Sequence, residues 1–328
     1  MSSAQGTRTQ GKRGAAGRRP EVRVSGRSVP LSNPGKEMFP EDDITKAELV
    51  DYYRAVARPM LAHLRGRPVA MERYPDGYRG RSFYHKAVPA HFPGWVHRET
   101  VPKQGGTVEM AVCDDAATLA YLANQACLTP HAWLSRAGHL GCPDRMVLDL
   151  DPPSATDDGD PFELVRWAAG ECAGLLTGLG LHPAAMTTGS RGVHVVVPLD
   201  GGADFDEVRD FARRAAGLLA RRHPGRLTTE IRKNRRGARL YLDVQRNAYA
   251  QTAVAPYAVR ARPHAPVATP LRWEELTEEG VGPRDFTLRT VPGRLAEHGD
   301  PWSGLHRKRR SLRAARGRLD ALEREEGR

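Results

Sequence analysis

Two aspartates one residue apart inside an apolar run constrain this chain more than any other feature. The run is Arg145-Met-Val-Leu-Asp-Leu-Asp-Pro-Pro153, whose length and composition predict a strand. Side chains alternate faces along a strand, so Asp149 and Asp151 must point the same way. Two carboxylates side by side repel unless a cation lies between them. Oxygen-only pairs of this kind suit Mg²⁺ or Mn²⁺, which keep waters and take phosphate oxygens in their remaining positions. Asp-x-Asp-Pro is also an ordinary strand ending before an Asx-type turn. The pair needs further parts before it points to metal chemistry.

Those parts lie downstream. Arg239-Leu-Tyr-Leu-Asp-Val244 is a second strand-like run and offers a third carboxylate, Asp243. Between the two runs stands Thr187-Thr-Gly-Ser-Arg-Gly-Val-His-Val195, a glycine-rich turn that carries a cation and a histidine. Glycine at 189 and 192 removes the steric bar to close backbone approach, so the N–H groups around Ser190 and Arg191 can meet a phosphate. Alone, such a turn is usually just a hairpin. Likewise His194, alternating with Val193 and Val195, taken alone reads more readily as a core histidine. Three carboxylates and a phosphate cradle together are the parts of a metal-dependent nucleotidyl transferase.

The formal net charge of +11 suggests nucleic acid, but its location weakens that inference. Residues 1–20 hold five basic and no acidic residues, and residues 307–328 hold nine basic and four acidic. The two ends account for +10, which leaves the body at +1. Any DNA binding by the body must therefore come from local patches, with the ends adding a sequence-independent pull. No apolar run reaches the roughly 18 residues of a membrane span, and no apolar segment follows the basic start. Cysteines 113, 127, 142 and 172 form no Cys-x-x-Cys pair, so reduced thiols are expected and structural zinc is not. A cytoplasmic, nucleoid-associated protein without membrane contact is the expectation.

Along the chain, residues 1–21 are expected to be a disordered basic arm, too poor in large apolar side chains to order themselves. Residues 22–302 are expected to form the folded body, with one module at about 22–140 and a second at about 141–302. Thr45 and Glu48 form a capping box before a helix, and Asp115 to Gln125 reads as another. Asp160-Pro-Phe-Glu163 opens a helix running to about Thr177, with an N-cap, proline at N1 and an acid at N3. Strands are expected at Ala184–Thr188, Val193–Val197, Leu227–Ile231 and Arg239–Val244, with an amphipathic helix over Phe205–Arg222. Strand, helix, strand pair, helix, strand pair suggests an α+β fold with a mostly antiparallel sheet. Residues 303–328 are expected to be a charged, solvent-facing helix or tail.

The motifs, taken in order, resemble the polymerase domain of the bacterial ligase D proteins, in the archaeo-eukaryotic primase superfamily. The resemblance runs from about Val29 to Trp302. It includes Asn33-Pro-Gly-Lys36, Arg73-Tyr-Pro-Asp-Gly77, Phe83-Tyr-His-Lys86, Pro130-His131, Asp149-Leu-Asp-Pro152, Gly189 to His194 and Asp243-Val-Gln-Arg-Asn247. It implies an archaeo-eukaryotic primase-type catalytic core with flanking helices and an N-terminal α/β module. It also implies nucleotide addition to DNA 3′ ends in gap filling or non-homologous end joining, with ribonucleotides preferred over dNTPs. Asp149, Asp151 and Asp243 would then hold two Mn²⁺ or Mg²⁺ ions. His131, Ser190, Arg191, His194 and Arg246 would surround the triphosphate, with Arg260 as a further candidate, Gly189 in the same nucleotide-binding turn and Thr188 near the sugar. Asn33, Lys36 and Lys46 would grip a 5′-phosphate across a gap, helped by the helix N-terminus after Thr45, and Phe83 and Tyr84 would stack on DNA.

The residues also depart from that pattern. The family's Gly-Gly-Lys-Gly type turn is here Gly-Ser-Arg-Gly, and Glu72 puts a negative charge beside Arg73 where a cation is expected. No Lys-x-Asp-Gly occurs, so sealing is expected to fall to a separate DNA ligase, and a Ku-like end-binding protein is a candidate recruiter. A de novo DNA primase, a metal-dependent nuclease and a non-catalytic DNA-end-binding protein stay open as alternatives. The nuclease needs no triphosphate cradle, and the end-binding protein needs no aspartates.

Overall fold

The computed structural model describes residues 20–153, 160–277 and 281–327. The expected basic arm, apart from Pro20 and Glu21, lies outside the described residues. The N-terminal part opens with hairpins β1 (Glu21–Val24)/β2 (Arg27–Pro30) and β3 (Glu37–Phe39)/β4 (Ile44–Thr45). Helix α1 (Lys46–Ala55) follows, started by the expected capping box: Thr45 Oγ1 accepts from the Glu48 N–H, and Glu48 accepts from the Thr45 N–H. Then come α2 (Ala57–Leu64), β5 (Pro68–Arg73), β6 (Phe83–His85), β7 (Arg98–Lys103), β8 (Gly106–Val112), α3 (Ala116–Asn124) and β9 (Cys127–Trp133). Strands β5 to β9 form an antiparallel sheet. Val69 and Met71 of β5 join the apolar cluster of α1, α2 and α3. The alternate residues Ala70 and Glu72 therefore take the opposite face.

The second part begins with β10 (Arg145–Asp151) and continues with α4 (Pro161–Gly178), β11 (Ala184–Thr187), β12 (Val193–Pro198) and α5 (Phe205–Arg222). It ends with β13 (Leu227–Thr228), β14 (Leu240–Asp243), β15 (Thr252–Val254), β16 (Pro270–Leu271) and the short α6 (Trp273–Thr277). The sheet order is β13-β14-β10-β12-β11-β16. All pairs are antiparallel except β13 and β14, which run parallel, with β13 two residues long where a five-residue strand is expected. Face alternation divides the labour. Met146, Leu148, Leu150, Val193, Val195 and Val197 pack on α4 and α5, while Val147, Met186 and Val196 pack toward the first part. Asp149, Asp151 and His194 share the second face by parity.

Two expectations change. The split near residue 140 is crossed by β15, which leaves the second part and adds an edge to β9 through Ala253↔Ala132 and Val254↔His131. The two sheets are thereby stitched at the position where the site forms. The C-terminal segment, after α7 (Val291–His298), is not a solvent-facing tail. Helix α8 (Leu312–Glu326) buries Leu312, Ala315 and Leu319 in the α4/α5 cluster. Arg214 of α5 holds Asp320 and Glu323, and Glu207 holds Arg316 at 2.6 Å. The i, i+3, i+7 spacing of the apolar residues is a narrow helical stripe, easily lost among the surrounding charges.

Candidate active site

Strand register assembles the carboxylates. Asp149 sits opposite Asp243 on one side and opposite His194 on the other, while Asp151 faces Tyr241. Directly opposed residues share a face, so His194, Asp149 and Asp243 form a row across three strands, with Asp151 one step along. His194 Nε2 lies 3.4 Å from Asp149 Oδ1, and Arg246 Nε lies 3.4 Å from Asp149 Oδ2. Asp243 Oδ1 accepts from the Gln245 N–H at 2.7 Å. Arg246 is placed by its neighbour, because Asn247 is fully buried and its side-chain amide clamps both the N–H and the carbonyl of Val147. Asn247 is a positioning residue that sequence reading places only within a motif.

The electrostatics divide the trio. Burial works to raise the Asp149 carboxyl, but His194 and Arg246 outweigh it and hold it at about 2. Burial, then Asp149 and Asp243, push Asp151 up to about 6. Raised in this way, Asp151 marks negative charge that its protein surroundings do not fully balance. Among the described residues no three His, Cys, Asp or Glu side chains enclose a ready ion cage. An all-protein cage is not what Mg²⁺ requires, since it binds through one or two carboxylates plus waters and substrate phosphates. The donor set, oxygen-only and short of cations at Asp151, fits such an ion.

A stability prediction follows. The folded-state value of Asp151 lies above its ordinary 3.8, so this group destabilises the metal-free protein above pH 6, and the cost fades as pH falls toward 4. Asp151→Asn is expected to raise the melting temperature in EDTA at pH 7, by a stability gain on the order of 1 kcal/mol. The gain should disappear below about pH 4, the ordinary aspartate value. Melting of both proteins across that pH range checks it.

The cleft beside the carboxylates encloses about 180 Å³ and is lined by His131, Asp149, Asp151, Thr188, Ser190, Arg191, Gly192, His194, Arg246, Arg260 and Arg262. Besides Gly192 and Val254, Arg262 is the charged addition to the expected set. Its position in a loop, away from any motif, gave no signal. Arg260 Nη1 donates to the Thr188 carbonyl at 2.8 Å, which holds the turn against the cleft wall. Thr188 is 7% exposed, and its hydroxyl donates to the Gly192 carbonyl at 3.1 Å and accepts from the Gly192 N–H at 3.3 Å. The hydroxyl expected near a sugar is thus engaged in closing its own turn. A wider groove of about 650 Å³ runs along α5, but its Arg213 and Arg214 already hold Asp210 and Glu323.

Both turn glycines are required. Gly189 has φ +64°, and a Cβ there would sit 2.8 Å from the Val267 carbonyl carbon. At Gly192 a Cβ would run into the Leu150 carbonyl oxygen, backbone that cannot yield. Gly192→Ala is expected to cost about 1–3 kcal/mol of stability, as overpacking does, and to displace Arg191 from the cleft. Thermal melting and nucleotide binding check it.

The other expected groups fall on two further patches. Lys36 and Lys46 come together where the Lys46 N–H donates to the Lys36 carbonyl at 2.8 Å. Lys46 is 6% exposed, and among the described residues its ammonium donates only to Ser32 Oγ at 3.1 Å and the Asn124 carbonyl at 3.4 Å. Burial, then Lys36 and Arg73, push it below its ordinary value. Among the described residues it has no carboxylate partner, whereas Lys36 pairs with the exposed Asp76 at 2.7 Å. Arg73 therefore belongs to this patch, and Asn33 stands on the preceding turn at φ +48°. The N-terminus of α1 does not contribute as expected, because its first N–H groups are taken by Lys36, Pro34 and Thr45. Phe83 and Tyr84 are 38% and 48% exposed on β6 and take opposite faces, Tyr84 on the side of Glu72 with its ring edge-on to His131 and its hydroxyl bonded to Thr252 at 2.6 Å.

The sequence profile of the family described as "LigD, primase-polymerase domain" matches residues 45–302. This chain belongs to that family. "Multifunctional non-homologous end joining protein LigD" of Mycolicibacterium smegmatis is 34% identical over 274 residues, 83% of this chain and 35% of the relative. "Bifunctional non-homologous end joining protein LigD" of Bacillus subtilis (strain 168) is 32% identical over 273 residues, 83% of this chain and 43% of the relative. The LigD-family chain thus spans less than half the length of these relatives. Among solved structures, "Polymerase Domain from Mycobacterium tuberculosis Ligase D in complex with DNA" matches at TM-score 0.80 and 31% identity, covering 86% of this chain and 99% of that one. The fold of this LigD-family protein is accordingly of archaeo-eukaryotic primase type, as expected. No helix among its described residues is long and apolar enough to cross a membrane.

Proposed function

We propose that this protein is a metal-dependent nucleotidyl transferase that adds nucleotides, ribonucleotides by preference, to DNA 3′ ends during gap filling or non-homologous end joining. The observation that carries this reading is the register row: two strands bring Asp149 and Asp243 face to face, with Asp151 beside them, at the edge of a cleft lined by arginines. A nuclease has no use for that cationic cleft, and an end-binding protein has no use for the carboxylates. The relatives are named for non-homologous end joining, a pathway in which a Ku-like protein would recruit the chain to DNA ends.

Asp149, Asp151 and Asp243 would hold the Mn²⁺ or Mg²⁺ ions. When bound, such ions supply charge neutralisation for the attacking 3′-oxygen and for the leaving pyrophosphate. The chain's own residues do the positioning. Arg191, Arg246, Arg260 and Arg262 offer fixed positive charge to a triphosphate, and the turn 188–192 holds Arg191 at the cleft. The exposed ring of Phe83 gives unpaired bases a stacking surface. Buried Lys46, short of an anion, favours a DNA end bearing a 5′-phosphate, and so gap filling over de novo priming.

The test is primer extension on gapped duplexes with NTPs or dNTPs, in Mn²⁺, Mg²⁺ or EDTA. Templated addition that needs a divalent ion, with NTPs ahead of dNTPs, is the expected result. Addition that persists in EDTA, or none under any condition, overturns the reading.

A further inference from the structure

We propose that Glu72 is a specificity-determining residue, which fixes His131 as a hydrogen-bond acceptor for the ribose 2′-hydroxyl of the incoming nucleotide. The inference deepens the nucleotidyl-transfer reading and rests on it. Glu72 is the one acidic residue that the sequence places where a cation is expected, and the structure gives it a partner. Register sets Ala70 opposite His131 and Glu72 opposite Thr129, so Glu72 and His131 are diagonal neighbours on one face of β5 and β9. His131 Nε2 lies 3.1 Å from Glu72 Oε2, and the Tyr74 hydroxyl donates to Glu72 Oε1 at 2.6 Å. The Tyr84 ring meets the imidazole edge-on, with centroids 5.5 Å apart, which restrains the ring plane.

The tautomer follows from the partners. An ionised carboxylate only accepts, so the nitrogen facing Glu72 must carry the proton. Burial first, then His131 and Tyr74, act on Glu72, and the net result is a carboxyl held at about 2. Burial and the charges of Arg260 and Arg246 outweigh Glu72 and lower His131, so the imidazole stays neutral. A neutral ring protonated at Nε2 leaves a bare lone pair at Nδ1. Among the described residues Nδ1 makes no hydrogen bond, and His131 lines the cleft.

A bare lone pair selects its ligand. Triphosphate oxygens bring no proton, so neutral His131 cannot bind them through Nδ1, and Arg191, Arg246, Arg260 and Arg262 already suit that end. Exocyclic amines occur on only some bases, which a template-copying enzyme cannot rely on. A sugar hydroxyl is common to all four nucleotides and brings the proton that Nδ1 lacks. Thr188, the other candidate near a sugar, has committed its only proton to the Gly192 carbonyl.

The experiment compares wild type, Glu72→Leu and Glu72→Gln. Long-range ¹H–¹⁵N spectra of His131 report the tautomer without any turnover. Wild type and Glu72→Gln, whose amide oxygen still accepts, should show protonated Nε2, and Glu72→Leu should lose that preference. In primer extension the ratio of kcat/KM for NTP over 2′-dNTP should shrink about tenfold in Glu72→Leu, roughly one hydrogen bond's worth. Most of the change should appear in KM, and Glu72→Gln should retain most of the ratio. Use of a 3′-deoxy nucleotide relative to the matching NTP should not change in Glu72→Leu. A wild-type ratio that survives Glu72→Leu, or a His131 protonated at Nδ1, overturns the proposal. Absent extension, or equal use of NTPs and dNTPs by wild type, instead overturns the broader reading, while the spectra still decide whether Glu72 sets the tautomer.

Discussion

Replacing Asp149 or Asp243 by alanine should reduce nucleotide addition about a thousandfold or more, the scale set by losing several kcal/mol of metal-held charge stabilisation. DNA binding should stay within a few-fold of wild type, because the Lys36/Lys46 patch and the Phe83 ring lie on separate elements outside the cleft. The two substitutions are not equivalent. Asp149 is nine-tenths buried and holds both His194 and Arg246, so its removal leaves a buried imidazole and a guanidinium without their acceptor. Asp243 is half-buried and accepts from Tyr241 and the Gln245 N–H, so its loss also loosens the turn that carries Arg246. Asp149→Asn and Asp243→Asn keep the shape and remove the charge, and they separate chemistry from folding. Single-turnover extension, anisotropy on the same gapped DNA and thermal melting should be measured together. Extension within a few-fold of wild type in an asparagine variant removes that residue from the metal site.

Local features of this site were legible in the residues, and pairings between distant segments were not. The i, i+2 spacing placed Asp149 and Asp151 on one face, since strand parity is a property of the backbone alone. The capping box at Thr45 and the start at Asp160 were readable for the same reason, as short-range hydrogen bonds with fixed offsets. That Asp149 stands between Asp243 and His194 depends on the register of three strands, spread over nearly a hundred residues. Register is set by tertiary packing and turn geometry. The same limit hid β15, a three-residue strand that reaches across to β9, and the docking of α8 through four salt-bridging arginines and a thin apolar stripe. Glu72 was visible only as an anomaly, and its meaning appeared once β5 and β9 were paired. Thr188 shows the reverse case: the residue type suited a sugar contact, but the closed turn uses its hydroxyl.

A 5′-phosphate on the far side of a short gap should strengthen binding about tenfold or more, given roughly 1.5–3 kcal/mol for each hydrogen bond to a charged group. The structure shifts most of this effect onto Lys46. Its ammonium is buried, keeps only two weak neutral acceptors and has no carboxylate partner among the described residues. A buried cation in that state is stabilised by an incoming anion, because the desolvation cost has already been met in the free protein. Lys36 must first leave Asp76, an exposed pair worth little, so its net contribution is smaller. Lys46→Ala should therefore remove more of the phosphate advantage than Lys36→Ala, and the double variant should remove all of it. Extension of an open primer–template should change little, since neither lysine lies in the cleft beside Asp149. Anisotropy with 5′-phosphate and 5′-hydroxyl gaps must be run at one salt concentration, because the basic ends of the sequence add a background that varies with ionic strength. Equal wild-type affinity for the two gaps would leave Lys46 as a buried structural cation and move the gap-recognition surface elsewhere.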